Sequence, residues 1–193
     1  AHRRAFKYFY CEVSDIKKAA SIFLRADITP ADLNALILWM SNPNVTLFLN
    51  EDPQIISHLT RLSALAPGPM LTYHFNQHGR FFLICPEDET AVGFVSLRPA
   101  DAPASYEIVY AIGEESLWGL GLEGGALRAA LATVFLEWRA RRVLARVHWK
   151  NDRSLRALRS CGFHLTGSLG VLRQYEITLE EYLCSLRSRT LRP

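Results

Sequence analysis

The stretch ASYEIVYAIGEESLWGLGLEGGALRAALATVFLEW, residues 104–138, decides the fold. It reads as a strand, a glycine-rich turn and an amphipathic helix. Tyr106 to Ile112 alternates bulky and smaller side chains of high strand propensity, and Gly113, Glu114 and Glu115 end the run. Gly119, Gly121, Gly124 and Gly125 follow, after which Leu127, Ala130, Leu131, Val134, Phe135 and Trp138 recur at helical spacing. Such a turn sets unpaired backbone N–H groups at a helix N-terminus, a site suited to phosphate.

The turn has no Gly-Lys-Ser/Thr, which argues against nucleoside triphosphate hydrolysis. Gly119, Gly121 and Gly124 satisfy the spacing of the dinucleotide fingerprint, but that fingerprint follows the first strand of its domain, and this one lies about a hundred residues in. On these residues alone, a ligand-free glycine connection and a different phosphate-bearing cofactor both stay open.

Working outward, Val143 to Trp149 reads as the next strand, Asp152 to Ser160 as a short helix, and Phe163 to Thr166 and Leu172 to Ile177 as the last strands. Thr178 to Leu186 closes the chain as a helix. Upstream, Ser21 to Asp27 is a strand, and Thr29-Pro30-Ala31-Asp32 starts a helix with a capping threonine and a first-turn proline. Leu33, Leu36, Ile37 and Met40 form its buried face, with Trp39 in the core, and Asn42-Pro43 ends it. A second helix is expected over 52–64, ended by APGPM. Leu71 to Phe75, Phe81 to Cys85 and Ala91 to Leu97 then read as strands that form an antiparallel meander with Tyr106 to Ile112. The predicted fold class is α+β: one domain over 21–193 with a mixed sheet, preceded by an arm or extra strand over 1–20.

The balance of 22 basic and 19 acidic residues, net +3, is too mild to imply nucleic acid. Locally, Arg128, Arg139, Arg141, Arg142, Arg146, Lys150, Arg153, Arg156 and Arg159 face only Glu137 and Asp152. This region suits a polyphosphate ligand or, equally, a solvated surface. Cys11, Cys85, Cys161 and Cys184 lack metal-like spacing, so neither disulfides nor a metal is expected, and Cys161 reads as buried packing. Lys7 and Glu12 interrupt the start of the chain before an apolar run of signal-peptide length, and no run approaches the ~18 apolar residues of a membrane span. A soluble cytoplasmic protein without membrane contact is expected.

The order LRADITPADLNALILWMSNPNV, YEIVYAIGEESLWGLGLEGGAL and NDRSLRALRSCGF resembles the GNAT superfamily of acetyl-CoA-dependent N-acetyltransferases, over about residues 21–183. It looks closest to the RimJ/RimL-like branch, which contains the ribosomal-protein N-terminal acetyltransferases. The resemblance implies a mostly antiparallel sheet of six to seven strands flanked by helices. Its fourth and fifth strands splay apart to hold acetyl-CoA. The pantetheine would pair with backbone at Ala111 and Ile112. The pyrophosphate would meet the turn formed by Trp118, Gly119, Leu120, Gly121, Gly124 and Gly125. Asn151 and Ser154 match the family's Asn-x-x-Ser beside the thioester.

The reaction so implied needs a neutral amine, an N–H donor for the developing oxyanion and a proton for the departing thiolate. A backbone N–H near Ile112 is expected to serve the oxyanion, and Ser154 to donate the proton, because Leu158 stands where other branches use a tyrosine. Asn151 would orient the cofactor or a water. Glu107 is the candidate base, with a cross-strand ion pair as its alternative role; Glu51 is a weaker one. His148 reads as a packed strand residue, and Trp118, Trp138 and Trp149 as core. Glu123 stands where relatives usually carry a small residue, and Gly125 where they often carry glutamate. A carboxylate facing a pyrophosphate opposes binding, so a non-catalytic GNAT-like CoA-binding or interaction module is the alternative. The implied acceptor is a primary amine of a small molecule or a protein N-terminus, and a homodimer is allowed.

Overall fold

Helix α1 (Pro30–Ser41) begins at a capping box: the Thr29 hydroxyl accepts from the Asp32 amide at 3.3 Å, and the Asp32 carboxylate accepts from the Thr29 amide at 2.8 Å. Asp32 also receives two hydrogen bonds from the Arg25 guanidinium, at 2.7 and 2.9 Å, which tie the helix start to strand β1 (Ile22–Arg25). The computed structural model describes residues 22–49, 52–86 and 90–190; the arm expected over 1–20 and the candidate base Glu51 lie outside them.

Asn42 ends α1 and, through its side chain, caps the short helix α2 (Pro43–Thr46), which the reading of Asn42-Pro43 as a simple stop misses. Helix α3 (Ile55–Leu65) follows. Residues 71–75, expected as a strand, form instead the single-turn helix α4 (Leu71–Phe75). The reason lies before them: Pro67-Gly68-Pro69 enters a 3-10 turn that continues into α4. Only Leu71 of the five is buried, so the bulky alternation that suggested a strand has no second strand to meet.

The other strands are β2 (Arg80–Pro86), β3 (Gly93–Pro99), β4 (Ser105–Ile112), β5 (Arg142–His148), β6 (His164–Leu169) and β7 (Leu172–Thr178). Among the described residues they form one seven-stranded sheet in the order β1-β2-β3-β4-β5-β7-β6. Every neighbouring pair is antiparallel except β4 and β5. Helix α5 (Leu122–Ala132), extended by one π turn at Thr133–Glu137, makes the crossover those two strands require. It packs on one face of the sheet with α6 (Asp152–Ser160) and α7 (Leu179–Thr190). Helices α1 and α3 cover the other face over Leu83, Cys85 and Phe94. No helix among the described residues is long and apolar enough to cross a membrane.

Trp39 is buried as expected, whereas Trp149 is 49% exposed. It sits past the end of β5, where its indole only flanks Lys150 and His148 instead of entering the core. The Trp39 ring lies on Gly113, and its Nε1 donates to the Glu114 carboxylate at 2.9 Å, so α1 is fastened to the end of β4. A Cβ at residue 113 would overlap that ring. Gly113→Ala should therefore destabilise by ~1–3 kcal/mol, read as a lower Tm.

Asp32 supplies a pH-dependent term. Burial, the largest influence, raises its pKa, but the hydrogen bonds from Arg25 and Thr29 together outweigh it and the value is lowered. Its contribution is present above the unfolded value near ~4 and is lost as pH falls through the lowered folded value. Asp32→Ala should cost about 1–2 kcal/mol at neutral pH, with the Tm gap to the parent protein closing in acid.

Candidate active site

β4 pairs with β3 along its whole length, from Pro99↔Tyr106 to Gly93↔Ile112. With β5 it pairs only at Ser105↔Arg142, Tyr106↔Val143 and Glu107↔Leu144. β5 stays with β7 to its end, so the two strands part after Glu107 and one edge of β4 loses its strand partner. A cleft of about 60 Å³ occupies the fork. It passes through the sheet: Val45, Phe48 and Leu49 line it on the α1 face, and Glu123, Arg153 and Ser154 on the α5 face. Ala111 and Ile112 border it along β4.

The glycine turn stands at the start of α5. Gly119 and Gly121 have φ of +80° and +83°, in the left-handed region that favours glycine. A Cβ on either would meet nothing within 4 Å, so this side of the turn is open. The first helical bond is Gly125 N–H to Gly121 O at 3.2 Å, and the amides of Leu122, Glu123 and Gly124 precede it. The Arg128 side chain reaches back to the turn: a Cβ on Gly124 would lie 3.2 Å from Arg128 Nη1. The Nε of Arg128 is buried without a hydrogen-bond partner. Open amides beside a cation with an unused donor fit a pyrophosphate. Gly125 serves packing, since a Cβ there would come within 2.8 Å of Ile22 Cδ1.

Glu123 is 4% exposed and is turned into the space between α5 and α6. Its Oε1 lies 3.0 Å from Arg153 Nε, off the N–H direction, so the contact is an ion pair and not a hydrogen bond. The Arg153 guanidinium in turn stacks 3.8 Å from the centre of the Trp118 ring. The Trp118 Nε1 donates to Ile112 O at 2.8 Å, which closes the end of the fork. Trp118 is half-buried and touches the core on both faces.

The Oδ1 of Asn151 accepts from the Ser154 amide at 3.1 Å and so caps α6. Ser154 is buried and borders the cleft. Tyr110 enters from β4, and its hydroxyl donates to Ser154 O at 3.3 Å. Burial, opposed by the hydrogen bond with Ser154, holds the Tyr110 hydroxyl well above the usual tyrosine range, so it is protonated at neutral pH. Glu107 stands at the branch point of the fork with its carboxylate 2.7 Å from Arg146 Nη1. Leu158 is fully buried, Cys161 packs with its thiol toward Gly124 O, and His148 stacks on Phe48 at 5.0 Å. Among the described residues no group of His, Cys, Asp or Glu is arranged to hold a metal ion.

The structure thus brings Glu107, Ala111, Ile112, Asn151 and Ser154 to one cleft, with the glycine turn at its α5 side. Tyr110 and the Arg153–Trp118 stack carry no motif. The one sequence signal for Tyr110 is its phase, which it shares with the inward Ile108 and Ile112. Of the basic cluster in 128–159, Arg128 meets the turn and Arg146 and Arg153 meet the cleft.

Comparison with known proteins agrees with this geometry. The family described as acetyltransferase (GNAT) domain matches residues 22–164. No curated protein matches the sequence. Among solved structures, spermidine N-acetyltransferase from Vibrio cholerae, in complex with CoA and spermine, is similar at a TM-score of 0.69 and 18% identity, over 84% of this chain and 98% of that one. A domain from Methanocaldococcus jannaschii gives 0.65 and 24%, over 81% and 97%, and a GNAT-family acetyltransferase from Bacillus anthracis 0.64 and 14%, over 89% and 99%. These likenesses show the mixed α+β fold. The chain belongs to the GNAT acetyltransferase family. It is an N-acetyltransferase, and acetyl-CoA is its acetyl donor.

Arg128→Ala removes the cation beside the turn. It should weaken acetyl-CoA binding about tenfold, the worth of one charge-assisted hydrogen bond, with little change in Tm of the ligand-free protein, as measured by calorimetric titration.

Proposed function

We propose that residues 21–193 form a catalytic domain, with 1–20 as an arm, that moves the acetyl group to a primary amine of a small molecule or a protein N-terminus, as in the RimJ/RimL-like branch. The observation that carries this reading is the fork: it connects the two faces of the sheet, with the phosphate-suited turn on one side and Glu107 and the α2 residues on the other. Acetyl-CoA, when bound, supplies an activated thioester. The backbone at Trp118, Gly119, Leu120, Gly121 and Gly124 and the Arg128 guanidinium hold the pyrophosphate. Ala111 and Ile112 line the fork where the pantetheine would lie, and the Ile112 N–H is offered to it while the Ile112 carbonyl is held by Trp118.

Glu107 accepts the proton that the acceptor ammonium must lose before it can attack, and Arg146 keeps the carboxylate in place. A backbone N–H near Ile112 meets the developing negative charge on the carbonyl oxygen. The Ser154 hydroxyl gives its proton to the departing sulfur and is reprotonated by the second proton that the acylated nitrogen releases. Asn151 fixes the first turn of α6 and so the position of Ser154, and Tyr110 braces the same turn from β4. The motive for a non-catalytic module, a carboxylate opposing the pyrophosphate, is weakened because Glu123 is directed at Arg153. We place the enzyme in the cytoplasm.

Acetyl-CoA at about 100 times its Kd should stabilise the protein by about 2.7 kcal/mol; no thermal shift at millimolar acetyl-CoA would count against the whole reading. Ser154→Ala should lower kcat by about 10²-fold with the acetyl-CoA affinity intact. Glu107→Gln should lower kcat/KM for the amine by about 10²-fold with the acetyl-CoA affinity intact, and an unchanged kcat/KM would exclude Glu107 as the base.

A further inference from the structure

Beside the fork lies a larger cavity of about 400 Å³ that none of the proposed catalytic or cofactor-binding residues lines. It is on the α1 face of the sheet, enclosed by α1, α3, the turn from α4 into β2, and β3. Its sheet-side wall is aromatic, with Phe81 stacked on Phe94 at 5.3 Å between ring centres and Phe75 tilted against Phe81 at 4.8 Å, while the exposed Arg80, Arg98, His58, His74 and His78 form its rim and disfavour a ligand with several positive charges. Leu36, Met40 and Leu59 supply its apolar floor. No aspartate or glutamate is among the described residues that line it.

The cavity and the fork share a wall. Phe94 and Ser96 line the cavity, their register partners Ala111 and Val109 line the fork, and such partners on adjacent strands lie about 5 Å apart. A molecule seated against the Phe94 ring therefore has the β4 backbone about one strand spacing away, a reach that a short linker carrying an amine covers. The volume falls within the ~300–1,000 Å³ of small-ligand pockets and holds a one- or two-ring body. A chain with several ammonium groups finds a poor home there, because each buried charge needs a paired anion.

We propose that the acceptor is an arylalkylamine: one primary amine on a short linker from an aromatic body that fills this cavity. The proposal rests on the transferase reading given above. In the sequence Leu36, Met40, Leu59, Phe81 and Phe94 belong to four separate segments, and only the packing of α1 and α3 over β2 and β3 assembles them.

Two measurements on the full chain test it. The first is CoA release with 2-phenylethylamine, 3-phenylpropylamine, spermidine and a free-N-terminus peptide; kcat/KM for an arylalkylamine should exceed that for spermidine and for the peptide by at least tenfold. The second is calorimetric binding of 3-phenylpropylamine without turnover, in the parent protein and in Leu62→Trp and His58→Trp. These variants fill the cavity from α3, His58 from its exposed rim. Both should weaken amine binding at least tenfold and leave the acetyl-CoA thermal shift unchanged. Preference for spermidine or the peptide, or amine binding that neither variant weakens, overturns the proposal while the transferase reading stands. Absence of an acetyl-CoA shift and of all CoA release overturns the transferase reading, and loss of amine binding in the two variants would then still identify the cavity as an arylalkylamine site.

Discussion

The parting of β4 from β5 after Glu107 is the constraint on which the rest of the molecule depends. Each strand keeps its outer partner, β3 for one and β7 for the other, so the sheet opens at its single parallel seam without losing the ladders on either side. An unpaired strand edge inside a protein is costly unless something bonds to it. Here side chains fill part of the fork, with Tyr110 and Ser154 on one face and Val45 and Phe48 on the other. What they leave is a passage through the sheet along an edge of β4 that has no strand partner beyond Glu107, which is what an extended amide-bearing cofactor arm needs.

Several contacts converge on keeping that passage open at the right end. Trp118 caps the carbonyl of Ile112, Arg153 stacks on Trp118, and Glu123 holds Arg153 by charge. On the opposite face, Trp39 bonds to Glu114, and Asn42 and Asn44 both donate to Glu115, so the two carboxylates between β4 and the glycine turn anchor α1 and α2. The position of α1 and α2 relative to the glycine turn is thereby set by one short loop. Glu123, an apparent obstacle to a pyrophosphate in the linear sequence, becomes part of the brace once Arg153 from α6 arrives beside it.

Local signals carried much of the fold. Thr29-Pro30 and Asp32 specify the start of α1, the alternation in 106–112 specifies β4, and the spacing from Leu127 to Trp138 specifies α5. The failures had local causes too. Residues 71–75 look like a strand, but the proline-led turn before them directs the chain into a helix, and Trp149 looks like core until its place beyond the end of β5 is known. Within the candidate site, Glu107, Asn151, Ser154 and the turn glycines were legible as a spaced pattern. Tyr110, Arg128 at the turn and the cavity under α1 and α3 were not, because each draws its meaning from residues tens of positions away.

By itself, then, the sequence determined the order of elements, the open left-handed turn that only glycines at 119 and 121 accept without strain, and the family to which the chain belongs. Backbone preferences and capping act between near neighbours, and for that reason they can be read in one dimension. Tertiary structure alone decided where Glu123 points, which of the clustered arginines meet the turn and the fork, and that an aromatic cavity adjoins the fork. These depend on distances between strands and helices that sequence neighbours do not share, and on the burial that makes an unpaired charge too costly to leave facing inward.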